Sequence, residues 1–168
     1  MTSVIATPLP ETALLNTYKQ DGCFTDCYTT TVPHVVSHSD VVFSFYTSPL
    51  FKMERILLHY LARCPADDTD ARALAEGGAE SFSAWIVEAR AENQLLLSDF
   101  RHRTRSWLMV EPQASGTRLY FGSAVVPVAN PRTGKKSMGW LFDALSGFHR
   151  LYSVLLLKAA VRRLGHCQ

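Results

Sequence analysis

From Gln94 to Glu111 the chain runs for eighteen residues, QLLLSDFRHRTRSWLMVE, without a glycine or a proline. Strands in globular domains usually span about 3–10 residues, and this stretch alternates at period two rather than at the helical period. It therefore predicts two antiparallel strands and a tight turn. The apolar residues stop between Phe100 and Arg103, and no Asn-Gly or Asp-Gly marks the reversal. A two-residue turn at Arg101-His102 sets Leu97 against Ser106, Leu96 against Trp107 and Leu95 against Leu108. Directly opposed residues share a face. One face then carries Leu95, Leu97, Thr104, Ser106, Leu108 and Val110. The other carries Leu96, Ser98, Phe100, Arg103, Arg105, Trp107 and Met109. A three-residue turn would exchange the faces of Gln94–Phe100.

The neighbouring segments extend this meander. SFSAWIVEAR reads as a strand before it, and TRLYFGSAVVPV as a strand after it, entered through Ser115-Gly116. Alternation sets Leu119, Phe121, Ser123 and Val125 on one side of that last strand, and Arg118, Tyr120, Gly122 and Ala124 on the other. The arginine-bearing faces coincide as an outer surface, where Glu88, Glu92 and Glu111 can neutralise them. Earlier, DCYTTTV (Asp26–Val32) is rich in β-branched residues and reads as the first strand, ended by Pro33. His34 and His38 fall in the loop that follows.

Two or three short helices separate this first strand from the second. Val41–Tyr46 is one. Ser48 and Pro49 suit the cap and first turn of another. Its apolar positions are Leu50, Met53, Leu57, Tyr60 and Leu61, with Lys52, Arg55, His59 and Arg63 opposite. Residues 66–80 suit a third, ended by Gly77-Gly78. There Asp67, Asp68 and Asp70 read as charges favoured by the helix dipole rather than as catalytic carboxylates. After a loop over Asn130–Lys136, Ser137–Leu164 is one long helical pattern closed by Gly165. Met138, Leu141, Leu145, Phe148, Tyr152, Leu155 and Ala159 mark its apolar face. Residues 1–22 form an N-terminal arm with a short helix over Glu11–Lys19, and 23–165 a single domain.

The fold class that results is α+β. A curved antiparallel sheet of about five or six strands packs its apolar face on the long C-terminal helix, since such a face must be covered. At 168 residues and 47% hydrophobic, the chain can bury a core without staples. A net charge of +2 excludes a strongly basic nucleic-acid binder. Of the four cysteines only Cys23 and Cys27 form a close pair, beside Cys64 and Cys167, so no zinc set is written and no metal or cofactor is implied. The N-terminus lacks the basic start and apolar core of a signal peptide. The most apolar segment carries Asp143, Arg150 and Lys158, against a membrane span. Both point to a cytoplasmic protein.

The element order resembles the helix-grip superfamily, which includes START lipid-transfer domains, Bet v 1-like proteins and polyketide cyclases. LLLSDFRHRTRSWLMVEP, GTRLYFGSAVVP and FHRLYSVLLLKAAVRRL are similar in wording to small bacterial proteins of that type. The likeness covers roughly residues 24–164. It implies a sheet gripping the C-terminal helix around an apolar cavity. The chain is short for the superfamily and reads as lacking a strand or two, which argues against a large lipid tunnel. The motifs are structural, and the fold hosts binders, transporters and cyclases alike.

Such a cavity would be lined by Trp85, Leu97, Leu108, Phe121, Leu145 and Phe148. Ser106, Ser123, His149 and Tyr152 would be its polar groups, the mixture expected of a small-molecule site. The leading expectation is a small apolar ligand between sheet and helix. A cyclase or dehydratase using His149 with Tyr152 or Ser106 is the enzymatic alternative. No Ser-His-Asp ordering or glycine-flanked nucleophile supports it. The third reading is a homodimer or protein-interaction module using Trp107, Met109, Tyr120 and Arg105 on the outer sheet face.

Overall fold

Asp99 reverses the chain where the sequence writes no ordinary turn pair. In the computed structural model, β5 (Gln94–Asp99) and β6 (Thr104–Gln113) flank a turn over 100–103. The Asp99 carboxylate accepts the backbone N–H groups of Arg101, Arg103 and Thr104 at 3.2, 2.6 and 2.7 Å. His102 takes the left-handed conformation, with φ 55°, which histidine tolerates better than bulkier residues. The register is the one that a turn centred on Arg101-His102 requires. Leu95 opposes Leu108, Leu96 opposes Trp107 and Leu97 opposes Ser106.

The structure describes residues 3–53, 65–129, 136–137 and 140–165, and the side chains of these outside 128–149. Among them, seven strands form one antiparallel sheet in the order β1-β2-β7-β6-β5-β4-β3, more than the five or six expected. The additions are short edge strands. β1 (Ile5–Ala6) comes from the N-terminal arm and pairs with β2 (Phe24–Val32). β3 (Ser81–Phe82) and β4 (Trp85–Ala91) replace the single strand expected over SFSAWIVEAR. Ser83, at φ 53°, makes a tight hairpin between them. A bulge between Val87 and Ala89 switches the face of the strand, so that Val87 packs on the inner core opposite Leu97 and Ala89 on the second core opposite Leu96. β7 (Gly116–Val125) joins β6 through a turn at 114–115, one residue earlier than expected. A Cβ on Gly116 would lie 2.0 Å from the Val32 carbonyl oxygen. Val128–Ala129 (β8) and Lys136–Ser137 (β9) make a separate small ladder.

The inner face carries the larger core, including Leu95, Leu97, Leu108, Val110, Leu119 and Phe121. Its cover is shared. α2 (His38–Tyr46) begins at His38, one residue after its Ser37 cap, so His38 heads a helix rather than lying in a loop. A helical stretch at 49–53 follows. There Ser48 Oγ accepts the Phe51 N–H at 3.3 Å, Phe51 is buried, and Met53 is 65% exposed rather than apolar-facing. The remainder of that predicted helix, 54–64, and the 130–135 loop lie outside the described residues.

α3 (Asp68–Ala75) begins with a reciprocal capping box between Asp67 and Asp70. Asp68 pairs with Lys52 at 2.5 Å. The three aspartates thus hold structure, as the helix-dipole reading expects. Gly77, at φ 82°, ends the element.

α4 (Trp140–Leu164) packs mainly against α2, and touches the sheet at β2 and β7. Among its described side chains the buried ones are Ser153, Leu156, Leu157, Ala160 and Leu164, whereas Leu155, expected inside, is 43% exposed. Residues 151–160, LYSVLLLKAA, are apolar almost all round. Spacing alone therefore selects no unique face.

The arginine-bearing face is not an outer surface. Leu9, Ala13, Leu15 and Tyr18 from the N-terminal arm pack over Cys27, Leu96, Trp107, Met109, Tyr120 and Ala124 as a second core. Within the arm, α1 spans Asn16–Gln20 rather than Glu11–Lys19. Gln94 fixes the arm. Its Oε1 accepts Trp107 Nε1–H at 2.9 Å and Leu14 N–H at 3.0 Å, and its Nε2 donates to the Thr12 carbonyl at 3.0 Å. Arg105 is buried here as well. Its Nε lies 2.6 Å from Glu88 Oε2 and donates to Tyr18 Oη at 2.7 Å. Glu111 lies 3.8 Å from Arg118, so two of the three expected glutamates meet an arginine.

Gly122 permits this close packing. A Cβ there would stand 2.8 Å from the Asp26 carbonyl oxygen, 2.9 Å from Trp107 Cε3 and 3.1 Å from Leu15 Cδ2. Gly122→Ala is expected to destabilise the fold by about 1–3 kcal/mol, because overpacking forces backbone and ring apart. Urea unfolding followed by tryptophan fluorescence measures this.

Candidate functional site

The alternation that places Ser106, Phe121 and Ser123 on one sheet face also brings them to one cavity. Its volume is about 470 Å³. β6 and β7 form its floor, with Thr104, Ser106, Phe121, Ser123 and Val125. Trp85 closes one side from β4. Phe45 of α2 and Leu50, Phe51 and Met53 beyond it form a wall. Tyr152, Ser153 and Leu156 of α4 form the other.

Five of the expected ligand-binding residues therefore meet: Trp85, Ser106, Phe121, Ser123 and Tyr152. Leu97 and Leu108 do not line the cavity. Both are fully buried in the packed cluster that includes Val41, Phe45, Tyr46 and Phe82. α2 reaches β6 and fills that part of the face, which the sequence order left to the C-terminal helix. The side chains of Leu145, Phe148 and His149 lie outside the described residues.

The floor is braced by aromatic rings. Phe45 lies 4.8 Å from Phe121, and Tyr46 stands edge-on to Phe51 at 4.8 Å and to Phe82 at 5.6 Å. Such pairs favour edge-to-face and tilted geometries. Tyr46 Oη and Ser106 Oγ share a buried hydrogen bond of 2.9 Å. Ser123 donates to Asp26 Oδ1 twice, from its backbone N–H at 3.0 Å and its hydroxyl at 2.7 Å. Two lining residues carry buried polar atoms without a hydrogen-bond partner, Trp85 Nε1 and Ser153 Oγ.

Tyr46, Phe45, Phe51 and Asp26 are the residues that sequence reasoning missed. Asp26 opposes Ser123 across the β2–β7 ladder, 97 residues away. Only that strand pairing reveals the contact. Phe45 and Tyr46 carried a signal, as adjacent large apolar residues at the end of the first helical run.

Cys27, Tyr28 and His38 are each pushed toward the neutral form, chiefly by burial. Burial pushes the Cys27 thiol up to about 12, with the Asp26 carboxylate adding to it. A thiol so placed is a poor nucleophile. Burial and then Asp26 raise Tyr28 to about 12, against an opposing pull from Arg150. Burial lowers His38 to about 4, helped by Arg90 and opposed by the Leu108 backbone. Arg105, the charged residue among the described lining, spends its guanidinium on Glu88 and Tyr18. The arrangement can desolvate an apolar molecule and offer it a few hydrogen bonds. Among the described residues no group of three or more His, Cys, Asp or Glu side chains is placed to hold a metal ion. No described helix is long and apolar enough to cross a membrane.

His38 sets a pH dependence. The unfolded chain takes up its proton near pH 6.5, whereas the folded chain resists until about 4. Between these values the unfolded state binds more protons, so stability rises with pH there. The thermal midpoint of wild type is expected to fall as pH drops from about 6.5 to about 4, with His38 adding nothing to the slope above that window. His38→Gln should flatten the slope within it. Scanning calorimetry at stepped pH measures both.

No protein-family model and no curated protein matches the chain, so its chemistry is read from the cavity itself.

Proposed function

We propose that the chain binds a small apolar molecule between the inner sheet face and helices α2 and α4. The observation that carries this reading is the cavity. Its volume of about 470 Å³ falls within the range of small-molecule sites, about 300–1,000 Å³. Its lining is mainly aromatic and aliphatic, with a few hydroxyl-bearing residues.

The element order and the local wording of the meander favour a helix-grip domain of the START, Bet v 1 and polyketide-cyclase type. An antiparallel sheet with a C-terminal helix over its inner face is compatible with that reading. The wedging of α2 between sheet and helix gives a compact site rather than a long tunnel.

Titration with N-phenylnaphthylamine, an uncharged apolar fluorophore, tests the proposal. Saturable enhancement with one site per chain is expected. Val125→Phe, which puts a larger side chain in the cavity wall, should weaken the probe by about tenfold while the thermal midpoint stays close to wild type. Enhancement that never saturates, or that Val125→Phe leaves unchanged, would overturn the reading.

A further inference from the structure

We infer that the hairpin tip Phe100–Arg103 docks the mouth of the cavity onto a bilayer carrying anionic lipid, so that the apolar ligand enters from the membrane rather than from water. This rests on the binding reading above and adds the surface from which the ligand comes.

The lining itself locates the mouth. Most lining residues are buried, but Leu50, Trp85, Thr104 and Tyr152 are half-buried and Met53 is 65% exposed. These mark the side on which the cavity meets solvent. Trp85 and Thr104 are the first residues of β4 and β6, and Val125 is the last of β7. The turn over 100–103 closes that same end of the sheet. Phe100 N–H donates to the carbonyl of Ala84, the neighbour of Trp85, at 2.9 Å. The Arg103 carbonyl accepts the N–H of Val126, the neighbour of Val125, at 2.8 Å. Backbone bonds on both sides therefore fix the tip beside the mouth.

The tip carries an apolar ring among cations. Phe100 is 44% exposed, and Arg101, His102 and Arg103 are exposed with it. The Arg101 guanidinium lies 5.2 Å from the centre of the Phe100 ring. Arg105, the third arginine of the run, is buried against Glu88. Arg101 and Arg103, by contrast, have no ion-pair partner among the described residues. The turn holds both by their backbone N–H groups, on which the Asp99 carboxylate is spent. Their guanidinium groups are left to meet something outside the chain.

An anionic bilayer answers both parts of this surface. Its phosphates accept hydrogen bonds from guanidinium groups. Its headgroup boundary takes aromatic rings, which are amphipathic partners of that layer. Each basic side chain near an anionic leaflet adds attraction. An acidic polypeptide would answer the charges but not the open apolar mouth beside them. The occupant of an apolar cavity is also poorly soluble in water, so a membrane is where it is concentrated.

Co-sedimentation of the full chain with vesicles of phosphatidylcholine, alone or mixed equally with phosphatidylglycerol, tests this. Binding is expected to the mixed vesicles and not to phosphatidylcholine alone, and about 0.5 M NaCl should release it. Arg101→Glu combined with Arg103→Glu should weaken binding at least about tenfold. Lys158→Glu combined with Arg162→Glu, an equal change of charge at exposed sites on α4, should weaken it less than about threefold. Phe100→Ser should weaken it by about threefold. N-phenylnaphthylamine binding without vesicles should be unchanged in every variant. The lipid and salt dependence of wild type needs no variant and stands if one fails to fold. Equal sedimentation with both vesicle types, none with either, or equal loss in the two double variants would overturn the inference and leave the binding reading standing. Capture by immobilised polyglutamate without vesicle binding, lost in Arg101→Glu with Arg103→Glu, would give the tip to an acidic protein and overturn it as well. Failure of the fluorophore to bind saturably would overturn the binding reading, and this inference with it.

Discussion

One side-chain amide holds together two halves of this protein that the sequence writes far apart. Gln94 is buried at the start of β5, and its carboxamide answers three polar groups at once: the Trp107 indole, the Leu14 N–H and the Thr12 carbonyl. The fully buried Trp107 indole would otherwise be a desolvated donor without a partner, which an interior rarely tolerates. With them satisfied, the N-terminal arm can lie flat on the sheet and bury Trp107, Met109 and Leu96. The Arg105–Glu88–Tyr18 cluster reinforces the same seam. The Arg105 side chain is 8% exposed and stacks over the Tyr18 ring at 4.6 Å. Removing Glu88 would strand the Arg105 charge in a mostly dry place, the costly way to break such a pair.

The two faces of the sheet are therefore finished in different ways. The outer one is closed by a local strap, with backbone hydrogen bonds and small residues such as Gly122 allowing close approach. The inner one is closed by helices, whose bulk cannot follow a sheet as closely. α2 and α4 pack on each other as much as on the strands, and the space left between them and β6–β7 is the cavity. The polar residues of its floor are mostly committed to the scaffold. Tyr46 holds Ser106, and Asp26 holds Ser123. These bonds tie the floor to the scaffold.

Much of the sheet was legible because its information is local. The register of β5 and β6 follows from chain length, and the face assignments of Leu95 through Met109 and Leu119 through Ala124 follow from period two. Asp99 does the work of a missing turn dipeptide, so the reversal was placed although its chemistry was not. What escaped was carried by distant partners or by segments without contrast. Gln94 meets Thr12 across 82 residues, and nothing in either neighbourhood announces it. The hairpin in SFSAWIVEAR turns on Ser83, which no turn preference singles out. LYSVLLLKAA offers apolar residues in every direction, so the buried side of α4 is chosen by α2 rather than by the helix itself. Ser106, Phe121 and Ser123 reached the cavity by strand alternation, and Tyr152 by helical spacing. Leu97 and Leu108 failed because α2 occupies their part of the face.

The strap also imposes an order of events on a growing chain. Residues 1–22 are synthesised before the surface they dock on, which includes Trp107, Met109 and Tyr120, and before their anchor, Gln94. Contacts of such long range are closed late, after the loops between them have been organised. A segment that leaves the ribosome well before its partners is thus among the last to find its place. Until β6 and β7 emerge, its Leu9, Leu15 and Tyr18 have nothing of their own to cover, and the arm is the segment a nascent chain must keep from other apolar surfaces.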